Sequence, residues 1–418
     1  MINKTKESGY DWLGKIPSNW ITKKGYVIYD INTGSLDANA EEPDGKYPFF
    51  TCSDEKKTIN TYSFDCEALL VAGNGHVGFT QYYNGKFDAY QRTYVLSNFK
   101  MVKPAFLKYY FPILFPMSLE SQSFGSVIEF IKKRNLKNFI IPIPSENEQN
   151  NIIKFLDAKC FQIDELISKH NLIIEKLDDY RKSIISKAVT NGIDKDVSTK
   201  KSKIDYIERV PKHWEMKRLK FVATYIGKGA GITKDDIREN GDTNCVRYGE
   251  IYSKYNNTFE NCYSKTNIDL VPSPQCFEYG DILFAGTGEL IEEIGKNIAY
   301  LGKDKCLAGG DIIVLKHNQE PRYLNYLLNS IPIQNQKSCG KAKLKVVHIS
   351  GSEIGNIKIY LPDITEQKQI ADYLDKKYTV IDELIIKQKE AIYKLEEYKK
   401  TLIYNAVTGK MNIDGGGH

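Results

Sequence analysis

One segment of the sequence has the residue types and spacing of a dinucleotide-binding loop: Gly73-Asn74-Gly75-His76-Val77-Gly78 matches G-x-G-x-x-G after an apolar run. Such a loop must lead into a helix, because the helix N-terminus binds the pyrophosphate. The following Phe79-Thr80-Gln81-Tyr82-Tyr83 is typical of a strand instead. A second glycine turn, Ala285-Gly286-Thr287-Gly288, also follows an apolar run. We therefore predict two loops in which glycine lets the backbone approach another group closely, and no nucleotide site.

Carboxylates that could hold a catalytic metal occur as Pro43-Asp44 followed by Glu55-Lys56-Lys57, a spacing that resembles a nuclease signature. Such short patterns arise readily in a chain rich in lysine and glutamate, so solvated loops are the better interpretation. The eight cysteines never approach CxxC spacing, and the six histidines offer no close pair. The sequence has neither a GxxxxGK[ST] motif nor a methyltransferase-type Asn-Pro-Pro-Tyr or Asp-Pro-Pro-Tyr motif. We therefore expect no catalytic residues and no metal.

Basic residues interleaved with polar and aromatic side chains occur in both halves of the chain. Such clusters can neutralise DNA phosphates, and neighbouring Gln, Asn, Arg and Ser side chains can bind base edges in the major groove. One lysine run is more often a solvated face, but two runs at what we interpret as matching places favour a nucleic-acid partner. Lys337 belongs to the second run. The candidate DNA-binding residues are Asn74, His76, Gln91, Arg92, Gln122, Ser123, Ser126, Lys132, Lys133 and Arg134, and then Arg247, Tyr248, Thr287, Lys341, Lys343 and Lys345.

Length and composition limit the class of protein to which these residues can belong. A length of 418 residues allows two or three domains, and 41% hydrophobic residues provide for packed cores. The net charge is only +5, so a basic surface must be local. The most apolar stretch, residues 105–117, is interrupted by Lys108, Pro112 and Pro116, and the polar N-terminus lacks the apolar region of a signal peptide. We expect a cytoplasmic protein without membrane contact.

A long internal repeat organises the chain. Residues 16–20 (IPSNW) return as residues 210–214 (VPKHW), and residues 148–190 align without gaps on residues 366–408 with 21 of 43 positions identical. The segment between these two markers is 24 residues longer in the second copy and strongly divergent. The two copies are similar at both ends and different in the middle. This pattern favours a constant frame in which the divergent middle segments bind different targets. Duplication followed by neutral drift is the alternative.

The two aligned segments have a helical period of seven. Ser145 and Thr365 are the predicted caps of the two helices, each ahead of acidic residues. About 43 residues at 1.5 Å per residue give a rod of about 65 Å, which suits a spacer. We expect the two helices to pack antiparallel, with the polar His170 and Gln388 facing each other and fixing the register; separate homodimerisation of each helix is the alternative. The predicted seam consists of Leu156, Ile163, His170, Leu177 and Ile184, and of Leu374, Ile381, Gln388, Leu395 and Leu402.

The predicted fold is α+β: two mixed, strand-rich modules separated by two long helices that pack as an antiparallel coiled coil, with pseudo-twofold symmetry. Short aromatic and β-branched runs separated by Gly, Asn and Asp predict the strands. The predicted boundaries are 1–145 for the first module, 146–192 for the first helical region, 193–205 for an exposed linker, 206–362 for the second module, 363–411 for the second helical region and 412–418 for a tail.

This ordered combination of motifs resembles the specificity subunits of type I DNA restriction-modification systems. The resemblance rests on IPSNW and VPKHW, on LLVAGNGHVG and DILFAGTG, and on the helices that begin near Glu148-Gln149 and Glu366-Gln367 and end in AVT. It implies that the modules are target-recognition domains that each bind half of a bipartite DNA sequence, with the helices as a ruler. Residues 288–295 interrupt the glycine-loop pattern of the family.

The resemblance also implies partners for this chain. A specificity subunit is non-catalytic, and it docks two adenine-methylating modification subunits and, in the full complex, restriction subunits. No cofactor is then bound directly, because S-adenosylmethionine binds to the modification subunits. Two alternatives belong to other classes: a coiled-coil adaptor whose modules bind proteins through aromatic surfaces, and the metal-dependent nuclease of the carboxylate pattern.

Overall fold

The computed structural model describes residues 4–75, 78–121, 130–288, 290–341 and 347–413. These residues form two compact units, of which unit 1 is Met1–Asn171 with Lys389–His418 and unit 2 is Leu172–Gln388. Each unit combines a strand-rich module with half of each long helix. Six of the predicted site residues lie outside the described residues, namely His76, Gln122, Ser123, Ser126, Lys343 and Lys345.

Unit 1 contains a sheet with strand order β4-β9-β7-β8-β5-β6, in which β5 and β8 pair parallel and the other neighbours antiparallel. The strands are β1 (Thr5–Glu7), β2 (Lys15–Pro17), β3 (Ile21–Lys24), β4 (Asp30–Thr33), β5 (Tyr47–Phe50), β6 (Lys57–Ile59), β7 (Phe64–Ala72), β8 (Thr80–Ala89), β9 (Thr93–Ser97) and β10 (Ile140–Ile143). The helices are α1 (Gly25–Ile28), α2 (Pro104–Glu120), α3 (Lys133–Asn138) and α4 (Glu146–Asn191).

The core of unit 1 lies between this sheet and α2. The last five residues of β7 are all buried, as a central strand covered on both faces requires. Phe106, Phe111 and Phe115 of α2 are fully buried in the same cluster as Leu69 and Val71. A second cluster of buried residues includes Ala68 and Leu70 of β7 and Phe87 of β8, and Phe64 stacks on Phe87.

Unit 2 repeats this plan with a divided sheet, of order β14-β23-β19-β21-β16 and β17-β15-β22-β18. The strands are β11 (Thr199–Lys201), β12 (Arg209–Pro211), β13 (Glu215–Arg218), β14 (Ala223–Lys228), β15 (Thr243–Val246), β16 (Thr258–Phe259), β17 (Ser264–Thr266), β18 (Cys276–Phe277), β19 (Ile282–Ala285), β20 (Thr287–Gly288), β21 (Asn297–Tyr300), β22 (Cys306–Ala308), β23 (Ile312–His317), β24 (Val347–His348) and β25 (Lys358–Leu361). The helices are α5 (Tyr248–Ser253), α6 (Pro321–Leu328), α7 (Ile331–Ser338), α8 (Gly351–Asn356) and α9 (Ile364–Val407).

The two long helices pack antiparallel within each unit, as predicted. In unit 1, Lys399 of α9 pairs with Asp164 of α4 at 2.6 Å, and in unit 2 Arg181 of α4 pairs with Asp382 of α9. Positions therefore descend along α9 as they rise along α4. Among the ten predicted seam residues, Leu156, Ile163, Leu374, Ile381 and Leu402 are buried and the other five are partly buried. The facing of His170 and Gln388 stays a prediction.

The repeated motifs at the module starts bind the beginnings of the long helices. The indole Nε1 of Trp20 donates to Glu148 Oε1 at 3.1 Å, and Trp214 donates to Glu366 Oε1 at the same distance. Both indoles are buried, Trp214 completely. Each glutamate pairs with the tryptophan of the same repeat copy. The tryptophan motif and the start of the long helix therefore depend on each other for this contact in both copies.

Two local predictions need correction. Ser145 caps α4 by exchanging hydrogen bonds with Glu148, but Asp363 rather than Thr365 caps α9, because its Oδ1 accepts the Glu366 N–H at 2.9 Å. The predicted linker is mostly exposed, yet β11 lies within it and pairs antiparallel with β12. Polar strands such as TKK lack the alternation that would have revealed them.

None of the helices in the described ranges is both long and apolar enough to span a membrane.

Candidate nucleic-acid interface

A glycine turn follows the buried end of β7 in unit 1. The Gly73 N–H donates to the Arg92 carbonyl at 3.0 Å, and the Gly73 carbonyl accepts the Ile131 N–H at 2.9 Å. A Cβ at Gly73 would lie 2.4 Å from the Arg92 oxygen, closer than any real side chain tolerates. Glycine is therefore required here by close backbone approach, as the sequence predicts.

Unit 2 builds the same turn from a second glycine, Gly286. Gly286 donates to the Asp311 carbonyl at 2.7 Å and accepts from Ile349 at 2.9 Å. A Cβ at Gly286 would lie 2.9 Å from the Asp311 oxygen. We call these three positions, Gly73, Arg92 and Ile131 or Gly286, Asp311 and Ile349, the glycine frame. Because the frame is made by backbone atoms, the side chains around it are free to differ between the units.

Several predicted site residues of unit 1 meet at its glycine frame. Asn74 forms a bridge with Phe130, whose ring is 56% exposed, and the Lys132 ammonium lies 5.6 Å from the centre of that ring. Lys132 and the next two residues, Lys133 and Arg134, are exposed at the start of α3. The buried Asn74 Oδ1 accepts no hydrogen bond from any residue that the structure describes. Gln91 is also exposed, and its amide donates to Asp37 at 2.8 Å.

The glycine frame of unit 2 borders a pocket of about 240 Å³ that Thr287, His348, Asp311 and Lys228 line. Thr287 Oγ1 lies 3.1 Å from His348 Nδ1 across this pocket. Lys228 and Asp311 also line a larger neighbouring groove of about 710 Å³. The charged and aromatic residues of that groove include Lys228, Lys234, Arg247, Tyr248 and Lys254.

Sequence reasoning missed Lys228, Lys234 and Lys254. The run Lys228-Gly-Ala-Gly-Ile-Thr-Lys234 places glycines between basic residues, and this signal could have found Lys228 and Lys234, whereas Lys254 lies outside the run. All three lysines are exposed, and the part of the groove that they line carries an excess of positive charge suited to a polyanion.

Two predicted residues of unit 2 are engaged inside the chain. Arg247 pairs at 3.1 Å with Glu250, which is buried, and this pair closes the first turn of α5. Lys341 donates to Glu353 at 2.7 Å and to the His348 carbonyl at 2.6 Å. A phosphate contact by either side chain would have to compete with these bonds.

The prediction that the basic clusters occupy matching places is wrong. Ile131 and Ile349 are equivalent in the glycine frame, so the residues after them correspond. Unit 1 has Lys132-Lys133-Arg134 at this position, whereas unit 2 has Ser350-Gly351-Ser352. Lys341 instead precedes β24, on the other side of the bridge between Thr287 and His348. The two basic clusters have similar amino-acid composition but lie at different positions in the fold.

Lys337 is buried rather than part of a basic surface. Its ammonium donates to the Gly295 carbonyl at 2.7 Å and to Asn297 Oδ1 at 2.8 Å, and it lies 5.3 Å from the centre of the Phe284 ring. These partners are neutral, and burial lowers the pKa of the Lys337 ammonium to about 7. Lys337 thereby ties α7 to the residues that follow the glycine turn of unit 2.

The stability of the wild-type chain is expected to rise between pH 7 and pH 9 relative to Lys337→Met. In this range the folded chain releases the Lys337 proton while the unfolded chain, with an ordinary lysine pKa, keeps it. The difference grows by up to about 1.4 kcal/mol per pH unit. Urea unfolding of both proteins at several pH values measures it, and parallel pH curves would contradict the assignment.

The carboxylates of the nuclease-like pattern are spread over loops. Lys57 pairs with Glu41 at 2.8 Å and with Glu55 at 3.7 Å, while Asp44 is exposed in a turn with φ of 61°. In the described ranges, no three His, Cys, Asp or Glu side chains are grouped so as to hold a metal ion.

The chain is similar to proteins of a known family over most of its length. The family model described as type I restriction modification DNA specificity domain matches residues 17–177 and 211–394. The EcoDI type I restriction enzyme specificity subunit of Escherichia coli is 34% identical over 183 residues, which are 44% of this chain and 40% of that protein. A putative type I restriction enzyme MjaX specificity subunit of Methanocaldococcus jannaschii is 26% identical over 445 residues, covering 96% of each chain.

One solved structure supports the fold. It comes from work on complex assembly and conformational transition of the type I R-M system, and it matches with a TM-score of 0.68 over 95% of this chain and 99% of that chain, at 14% identity. Two matches of one family model, each beginning at the Trp motif of a unit and extending into a long helix, agree with the repeated architecture. The chain therefore belongs to the family of type I restriction-modification specificity subunits.

Proposed function

We propose that this chain reads a bipartite DNA target, with one half-site bound by the module of each unit and the paired helices fixing the distance between half-sites. A specificity subunit is itself non-catalytic, and methylation and restriction are carried out by partner subunits. The observation that supports the bipartite proposal is the glycine frame, which occurs in both units with different surrounding side chains. A constant frame with variable side chains suits two modules that bind different bases.

Docking of partners is the second part of the proposal. Leu166 and Leu384 occupy the same position of the helical repeat and are 44% and 39% exposed, and Tyr180 and Tyr398 are likewise equivalent and 55% and 57% exposed. Apolar residues that are identical in both copies yet exposed favour a surface used twice. We assign this surface to two adenine-methylating modification subunits, which bind S-adenosylmethionine, with restriction subunits joining in the full complex in the cytoplasm.

Replacing Lys132, Lys133 and Arg134 with Ala is expected to weaken DNA binding and flatten its salt dependence. Removing one cation that neutralises a phosphate lowers the slope of log K against log salt by about 0.9, so removing all three lowers it by about 2.7. Binding of the assembled methylating complex to duplex DNA, measured at about five salt concentrations between roughly 50 and 300 mM, gives both slopes.

The matched control replaces Lys195, Lys201 and Lys203, three exposed lysines between the modules, and changes the net charge equally. Its slope should stay at the wild-type value. Equal slopes in all three proteins would show that Lys132, Lys133 and Arg134 do not contact DNA phosphates. Salt-insensitive association of the wild type with DNA would instead favour the adaptor that binds proteins.

A further inference from the structure

The glycine frame identifies two residues of opposite charge at one equivalent position. Arg92 and Asp311 each accept the turn glycine's N–H through the backbone carbonyl, and each immediately precedes a central strand, β9 or β23. The register of these strands agrees, because Ala72 pairs with Thr93 as Ala285 pairs with Ile312. A fourth bond also recurs: Gly34 donates to the Thr93 carbonyl at 3.3 Å and Gly229 to the Ile312 carbonyl at 2.8 Å.

Both side chains are exposed. The Arg92 guanidinium forms neither a hydrogen bond nor an ion pair with any residue in the described part of the chain. Asp311 lies where the pocket beside Thr287 meets the larger basic groove, and the Lys228 ammonium lies 3.6 Å from its carboxylate. A carboxylate in a basic groove opposes phosphate binding, but it can accept a hydrogen bond from a donor on a bound base.

Base edges in the major groove supply partners for each charge. Guanine presents two acceptors, O6 and N7, which match the paired donors of an arginine. Cytosine presents the N4 amino donor, which a carboxylate accepts. Adenine suits a carboxylate less well, because its N7 acceptor lies beside the N6 donor and repels a second acceptor.

We propose that Arg92 and Asp311 are equivalent specificity-determining residues, Arg92 binding a guanine in one half-site and Asp311 a cytosine in the other. This inference depends on the proposed function, because it assigns chemistry to the bipartite interface. The two units then use one backbone position with opposite charge to recognise a G·C pair, one unit through the guanine and the other through the cytosine. The Lys228 ammonium offsets the repulsion between Asp311 and neighbouring phosphates.

The test compares the wild type with Asp311→Asn and Arg92→Gln, each expressed with its modification subunits in a host that lacks adenine methylation. Sequencing the methylated adenines gives the recognised sequence of each complex. Each substitution is expected to relax one G·C position, Arg92→Gln in one half-site and Asp311→Asn in the other, by about 5- to 150-fold in relative methylation. All other positions should keep their bases.

Asp269→Asn and Lys46→Gln serve as matched controls, because both residues are exposed and neither lines the pocket or the groove. Melting temperatures equal to the wild type's show that the surface variants fold. Three outcomes would overturn this inference without affecting the proposed function. They are an unchanged recognised sequence in both test variants, relaxation of an A·T position, and relaxation of the same half-site by both variants. A wild-type complex that methylates without a bipartite sequence would overturn the proposed function itself.

Discussion

Inserting four residues after Asn171 in α4 and four after Gln388 in α9 is expected to move methylation to sites whose half-sites lie one or two base pairs farther apart. Four helical residues add about 6 Å, and base pairs rise by about 3.4 Å each. Four residues also turn the helix by about 400°, so the seam stays close to its original face. Sequencing of methylated adenines measures the change, with sites of the original spacing losing methylation.

The insertion in only one helix is the control. It leaves the partner helix short, so the seam beyond the insertion loses its register and the chain should unfold at a lower urea concentration. If the double insertion methylated the original sites with unchanged spacing, the helices would not set the distance. Loss of all methylation by a folded double-insertion variant would also count against the proposal.

Replacing Leu374 with Ala is expected to destabilise unit 2 by about 2–5 kcal/mol. Leu374 is fully buried in one cluster with Trp214 of the module and Ala188 of α4, so its truncation leaves a cavity where three elements meet. The urea midpoint of unfolding, compared with that of the wild type, measures the loss. Leu156→Ala should act similarly in unit 1, where Leu156 is equally buried.

Leu384→Ala supplies the matched control within the same helix. Leu384 is 39% exposed, so its truncation should change the free energy of unfolding by about 0.5 kcal/mol or less. If Leu374→Ala and Leu384→Ala shifted the midpoint equally, burial in the seam would not explain helix pairing. A lower affinity of Leu384→Ala for modification subunits, with unchanged stability, would agree with the proposed docking surface.

The long helices were predictable because their chemistry is local and repeated. A seven-residue period of apolar side chains specifies one helix face, and two copies of that period in one chain favour pairing with each other over separate homodimerisation. The glycine turns were predictable for a similar reason, since glycine at the end of a buried strand indicates close backbone approach. The Ser145 cap of α4 was predictable from its own sequence context, whereas the Thr365 prediction failed because Asp363, a residue type that also caps helices, lies two positions earlier.

The interface was less predictable because its residues are defined by tertiary pairing. A lone acid after two glycines gives no sequence signal at Asp311, and its equivalence to Arg92 follows from backbone hydrogen bonds and strand register that the structure shows. Lys337 was assigned to a basic run because a lysine is rarely buried. Its burial follows from the packing of α7 against Gly295 and Asn297, contacts about 40 residues apart in sequence.

Unit 1 is assembled from two segments that lie far apart in the sequence, and this affects the order in which the chain can fold during synthesis. Ala406 and Val407 belong to the unit 1 core, and Gly409 approaches Pro17 and Trp20 so closely that a Cβ there would lie 2.4 Å from the proline ring. Unit 2 is continuous from Leu172 to Gln388, so it can close on the ribosome before the last segment emerges. The amino-terminal module, although translated first, therefore stays incomplete until residues 389–413 have been synthesised, and a chain that stopped before them would leave Trp20 without the cover that Gly409 provides.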